Sequence, residues 1–210
     1  MSKRSGVLCL SLPLVGLMVL AGVARADSLN ISGAVWFNTV PSDGVLPPTA
    51  PATTPDATFV ASSFNFDEPG GSETVIAFLN TDSVRNFLCA GGGTACGSAT
   101  NLNDTYELTG TTHLVAGQTY SFTHDDGMFL YLNGSPVISS GNPTVAITNN
   151  FSVAKTGNYS FEVLYTNVVA LPGVLESNIT PVVPEPSSLM LLGSGLLLVA
   201  GAAHRRIARK

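Results

Sequence analysis

QTYSFTHDDGMFLYLNGSPVIS, residues 118–139, is the stretch on which the fold turns. Tyr120 and Phe122 alternate with polar neighbours, 129–132 is an apolar run, and His124, Asp125, Asp126 and Gly127 separate the two. That pattern predicts strand, acidic turn, strand. Asn133 and Gly134 follow as a hairpin signal, because both tolerate positive φ, and Val137-Ile138 opens a third strand. The expectation is a β-meander with two adjacent carboxylates at a tight corner, where Gly127 supplies an unusual φ. Adjacent carboxylates repel, so the pair either stays in water or meets a cation.

Outward from this meander, the chain reads as further short strands separated by turn residues. Residues 29–37 alternate and predict the first strand. Residues 39–56, rich in Pro, Thr, Ala, Gly and Asp, have no apolar period and predict a long surface loop. A second strand is expected over 58–66 and a third over 74–79. Residues 82–88 suggest one helical turn capped by Asp82. Residues 105–109 and 112–115 flank Gly110-Thr111 as another hairpin, and 145–147, 151–154 and 159–165 complete the strands. Residues 168–179 are expected to form a loop and an edge strand. The sum is an all-β protein, an antiparallel β-sandwich.

Both ends read as addresses. Lys3 and Arg4 precede an apolar run over 7–23, and Ala24 and Ala26 flank Arg25 in a small-x-small cleavage site, so 1–26 is expected to be a signal peptide. At the other end Pro184, Glu185 and Pro186 (within 183–188) precede an apolar helix over 189–203 and a basic tail over 204–210. Fifteen helical residues span about 22 Å against a hydrocarbon core of about 30 Å, a short single transmembrane helix suited to a temporary anchor, with the tail held in the cytoplasm. The ectodomain is then 27–182. Its basic residues are only Arg85 and Lys155, against 13 carboxylates, a formal charge of −11 that the whole-chain value of −5 hides. So acidic a surface disfavours nucleic acid and anionic lipid and favours cations or neutral glycans.

Cys89 and Cys96 enclose a glycine-rich hexapeptide, and in an exported chain two cysteines so close most simply form a disulfide. His113 and His124 have no serine elbow or cysteine partner. Asp125 and Asp126, as neighbours on one turn, are poorly placed for glycoside hydrolysis, whose carboxylates stand at least about 5 Å apart across a bond. No enzymatic activity is expected.

Two resemblances add to this reading. The phrase 117–134 is similar to the central motif of the protective-antigen-type β-sandwich domain of toxins, glycosidases and yeast adhesins, clearest over 106–165 and weaker at Trp36-Phe37-Asn38. In calcium-dependent lectin members the paired aspartates bind the ion and the ion binds sugar hydroxyls. The resemblance therefore implies calcium as cofactor, held by Asp125, Asp126 and, from the loop after the strand ending at Tyr165, Asn167. That loop, 166–173, contains no carboxylate, a departure from the lectin pattern. The alternative is a turn in which the first aspartate ties down backbone amides.

The carboxyl terminus resembles the PEP-CTERM sorting signal of Gram-negative bacteria, with Pro184-Glu185-Pro186, a Leu-rich helix and an Arg-rich tail in order. This implies export across the inner membrane, processing by an exosortase, and delivery of a membrane-anchored precursor to the cell surface or matrix in bacteria that make exopolysaccharide. The functions carried forward are a surface or biofilm-matrix protein that binds carbohydrate through calcium, a purely structural surface protein, and a degenerate carbohydrate module once attached to an enzyme.

Overall fold

The computed structural model describes residues 29–68, 74–79, 83–168 and 173–180. The described chain is all-β apart from two short turns of helix. Its strands are β1 (Ile31–Trp36), β2 (Ala57–Ala61), β3 (Asn65–Asp67), β4 (Val84–Cys89), β5 (Asp104–Leu114), β6 (Tyr120–His124), β7 (Met128–Leu132), β8 (Ser135–Ser140), β9 (Ile147–Phe151), β10 (Gly157–Asn167) and β11 (Val174–Ser177). They form a seven-stranded sheet, β4-β2-β1-β5-β10-β7-β8, and a four-stranded sheet, β3-β11-β6-β9, with every described pairing antiparallel. The antiparallel sandwich expected from the alternation is therefore present.

Apolar side chains at alternate positions of each strand fill the space between the sheets, as a period of two requires. Ile31 and Val35 of β1, Phe122 of β6, Leu130 of β7 and Leu175 of β11 are fully buried. Rings interlock in this space: Phe59 of β2 meets Phe66 of β3 edge-on across the gap at 6.3 Å, and Phe78 stacks on Tyr165 of β10 at 5.3 Å. Each such ring removed from water contributes about 1.5–3 kcal/mol. The two 11-residue strands β5 and β10 pair along their whole length, from Gly157 opposite Leu114 to Asn167 opposite Asp104.

Several expected elements differ. Residues 58–66 are two strands in two sheets: β2 ends at Ala61, the chain crosses at Ser62-Ser63, and β3 joins the small sheet. Over 74–79 there is a helical turn, Val75–Phe78, whose N-cap Thr74 accepts from the Ala77 amide. Conversely, the helical turn expected over 82–88 is strand β4 from Val84 on, Asp82 lying outside the described residues. Gly110-Thr111 is no turn but mid-strand in β5. Gly110 is required there because the Phe161 ring and the Asn30 carbonyl would stand 2.7 and 2.8 Å from a Cβ. Val145 is 79 % exposed and precedes β9. The strand expected near 168–179, β11, is not at an edge: it lies between β3 and β6.

The 39–56 segment has no regular structure, yet it is more than a surface loop. It straps the outer face of the large sheet. The Trp36 indole donates to the Thr53 carbonyl at 2.8 Å, the Tyr131 hydroxyl donates to the Pro48 carbonyl at 2.7 Å, and Leu46 is buried with its amide on the Gly141 carbonyl. Among the described residues no helix is long and apolar enough to cross a membrane. The expected signal peptide, 1–26, and sorting signal, 183–210, lie outside the described residues.

Candidate functional site

The acidic corner is not part of a meander within one sheet. Residues 125–127 carry the chain from β6 in the small sheet to β7 in the large one, so Asp125 and Asp126 bridge the sandwich at one end. The unusual φ belongs to Asp126, at 65°, and not to Gly127. Gly127 is needed for space, since a Cβ there would stand 2.7 Å from the Leu46 Cβ and 2.8 Å from the Gly141 carbonyl.

Asp126 is fully buried and clamps two loops. Its Oδ1 accepts from the Thr144 amide at 3.2 Å and its Oδ2 from the Val168 amide at 2.6 Å. His124 completes the clamp from below. Its Nδ1 lies 2.8 Å from the Asp126 carbonyl, which can only accept, so Nδ1 carries the proton and Nε2 accepts from the Asn149 amide group at 2.7 Å. Burial lowers the His124 pKa below the ordinary histidine value, against the smaller opposing effect of Asp126, consistent with a neutral ring. Asp125 is 9 % exposed, and its carboxyl is pushed up to about 6, chiefly by desolvation and next by the charge of Asp126.

Asn167 ends β10, one residue before the Val168 amide that Asp126 holds. Its Nδ2 donates to the Asn101 carbonyl at 3.2 Å, while its buried Oδ1 has no partner among the described residues. The structure thus brings Asp126 and Asn167 to the same end of β10. It also adds residues the sequence reading passed over. Asn101 donates to Glu68 at 3.3 Å and accepts from the Tyr106 hydroxyl at 2.7 Å, and Glu68, Asn101 and Asp104 are all buried. Asp104 faces Asn167 in register, accepts from the Asn38 amide at 2.9 Å, and is pushed up to about 7 by burial and, less, by Asp56. Asn101, Asn103 and Asp104 stand close together in the chain, a polar run next to a strand that, with the adjacent acids Asp67 and Glu68, could have flagged this layer.

Chemically, this end of the sandwich is a layer of oxygen acceptors. Among the described residues no three carboxylate, histidine or cysteine side chains converge as a metal site, so any ion here must draw on amide and carbonyl oxygens as well. Elsewhere, Asn133 and Gly134 form the expected hairpin turn between β7 and β8, with φ of 49° and 75°. Asn133 Oδ1 also accepts from the Ser160 amide at 2.9 Å. Cys89 and Cys96 are disulfide-bonded, as their spacing suggested. His113 lies on β5.

No curated protein sequence matches the chain. Among solved structures it is similar to the PA14 domain of the MpAFP antifreeze protein, at 22 % identity over 73 % of this chain and 83 % of that one, TM-score 0.48. It is also similar to a PA14 sugar-binding domain from an RTX adhesin, at 20 % identity over 71 % and 88 %, TM-score 0.49. A β-glucosidase from Kluyveromyces marxianus, solved in complex with glucose, aligns at 12 % identity over 78 % of this chain but 19 % of its own, TM-score 0.39. At the carboxyl terminus, residues 182–206 match the PEP-CTERM protein-sorting motif, and the chain therefore carries the sorting signal of an exported surface protein.

Proposed function

We propose that this is a non-enzymatic surface or biofilm-matrix protein, released from its anchor by an exosortase near Pro184-Glu185-Pro186, whose sandwich binds extracellular polysaccharide through calcium at the Asp125-Asp126 corner. The observation that carries the reading is Asp125, a largely desolvated carboxyl beside a second, fully buried one. A divalent ion would offset that repulsion. Asp125, Asp126 and the Oδ1 of Asn167, which has no partner among the described residues, are the side-chain oxygens that would hold it. Bound there, calcium would supply open coordination positions for sugar hydroxyls. The sorting motif supports export and surface delivery.

A second reading has its own observation. Both oxygens of Asp126, the second aspartate and not the first as expected, already accept backbone amides, as a purely structural turn requires. Melting in calcium and in chelator separates the two. At about 100 times its dissociation constant calcium should add roughly 2.7 kcal/mol. Asp125→Asn should raise the melting temperature in chelator, by removing the repulsion, and erase the calcium response, while Asp67→Asn leaves the response intact. Identical melting of the wild type in both buffers would leave only the structural turn.

A further inference from the structure

The strap over 39–56 covers only part of the outer face of the large sheet. On the uncovered part lies a trough of about 530 Å³, floored by the small side chains Ser32 and Ala34 of β1, with Val60 and Leu88 on one side and Glu107 on the other. The register extends it across the sheet. Val60 pairs with Ser32, Ser32 with Thr109, Thr109 with Glu162, and Glu162 with Tyr131. Residues paired across antiparallel strands share a face, so these five side chains form one line, about 19 Å long at the usual strand spacing.

The line has a distinct chemistry at each point. Tyr131 is stacked with Phe129 at 6.4 Å and 18°, and its hydroxyl is tied to the strap, so its ring is a fixed platform. Glu162 lies beside it. Glu107, one row away, is raised above the ordinary carboxylate range, first by burial and then by Glu162, so the two acids sense each other. Ser32, Thr58 and Thr109 add hydroxyls, and Ala34, Val60 and Leu88 an apolar floor and wall. Leu88 is 52 % exposed.

We propose that this strip is a second carbohydrate-binding surface, separate from the calcium corner and independent of that reading, which takes an amine-bearing polysaccharide laid across the strands. The apolar face of a pyranose stacks on Tyr131, and sugar ammonium groups sit against Glu162 and Glu107. Charge complementarity selects the amine: the ectodomain stretch carries 13 carboxylates and two basic residues, and a cation relieves the repulsion between the glutamates. A basic peptide shares that charge, but β1, β5 and β10 are interior strands whose backbone groups are paired on both sides. They offer no edge for a peptide strand to extend.

Calorimetry with a chitosan hexasaccharide, in chelator so that the calcium corner is silent, tests this. The wild type should bind. Glu162→Gln and Glu107→Gln should each weaken binding about fivefold, and Tyr131→Ala about tenfold, with melting of the two glutamine variants preserved. Glu176→Gln on the small sheet makes the same charge change and should leave affinity unaltered, and the fully N-acetylated hexasaccharide should bind more weakly than the amine form. Absence of binding, equal loss in Glu176→Gln, or hexalysine binding as tightly and losing affinity in the same variants would each overturn the assignment.

Discussion

Strand β7 is bounded by two turns that look alike in sequence and differ in the molecule. Asp126-Gly127 precedes it and Asn133-Gly134 follows it, and in each the first residue has positive φ, 65° and 49°. Asn133-Gly134 is exposed and joins two neighbours in one sheet. A Cβ on Gly134 would meet nothing within 4 Å, so that glycine serves conformation alone. Asp126-Gly127 is buried and joins two different sheets. There the glycine serves space, and the aspartate side chain holds the loops containing Thr144 and Val168 in place. An Asx-Gly pair thus fixes a reversal of the chain without saying whether the next strand stays in the sheet.

The largest break in this comparison should come from Asp126→Ala. It strips acceptors from two backbone amides, a cost of about 3 kcal/mol, on the order of 10 °C in Tm for a domain this size. Asp126→Asn keeps one acceptor and should lose less. Next comes Gly127→Ala, where overpacking against Leu46 and the Gly141 carbonyl should cost about 1–3 kcal/mol by denaturant titration. Gly134→Ala, with open space but φ of 75°, should cost only about 1 kcal/mol. Reversed ranking of the two glycines would mean that crowding does not distinguish the turns.

A subtler contrast is expected in pH dependence. Asp125 and Asp104, at the corner end of β10, are pushed up to about 6 and about 7 in the folded protein. The folded state therefore binds protons more tightly than the unfolded chain, whose carboxyls titrate near 3.9. That contribution is full in acid below this value and is lost as pH rises through about 6 and then 7. In chelator, Tm should fall between pH 5 and pH 8. Asp104→Asn should flatten the upper part of the fall and Asp125→Asn the lower part, while Asn133→Gly, at the other turn, lowers Tm without changing the slope.

The alternation of Tyr120, Phe122, Phe161 and Val163 made the sandwich legible in the sequence, because a period of two is imposed by any sheet with one buried face. What the period does not carry is partnership. Over 58–66 it continues through Ser62-Ser63 although the chain changes sheets there. The run 74–79 is too short to separate helix from strand by pattern, and Thr74, whose side chain caps the helical turn, was the better signal. At the site, Asp125 and Asp126 stood out because, unlike the other adjacent acids Asp67 and Glu68, they sit at a turn between two apolar strands of the central stretch. Asp104, Asn101 and Glu68 did not, since their burial arises only when β5, β10 and β3 are brought together, from positions far apart in the chain.

The placement of β11 has a consequence for how the chain matures. A protein threaded across a membrane from its amino terminus delivers its strands in sequence order, and β11 is the last of those described. Yet it occupies the interior of the small sheet, with β3 and β6 hydrogen-bonded to its two sides. Until residues 174–177 emerge, β3 and β6 must wait with open edges facing each other across a missing strand, and the core beneath Leu175 stays wet. Final closure of the sandwich is thereby timed to the arrival of the segment that immediately precedes the sorting motif.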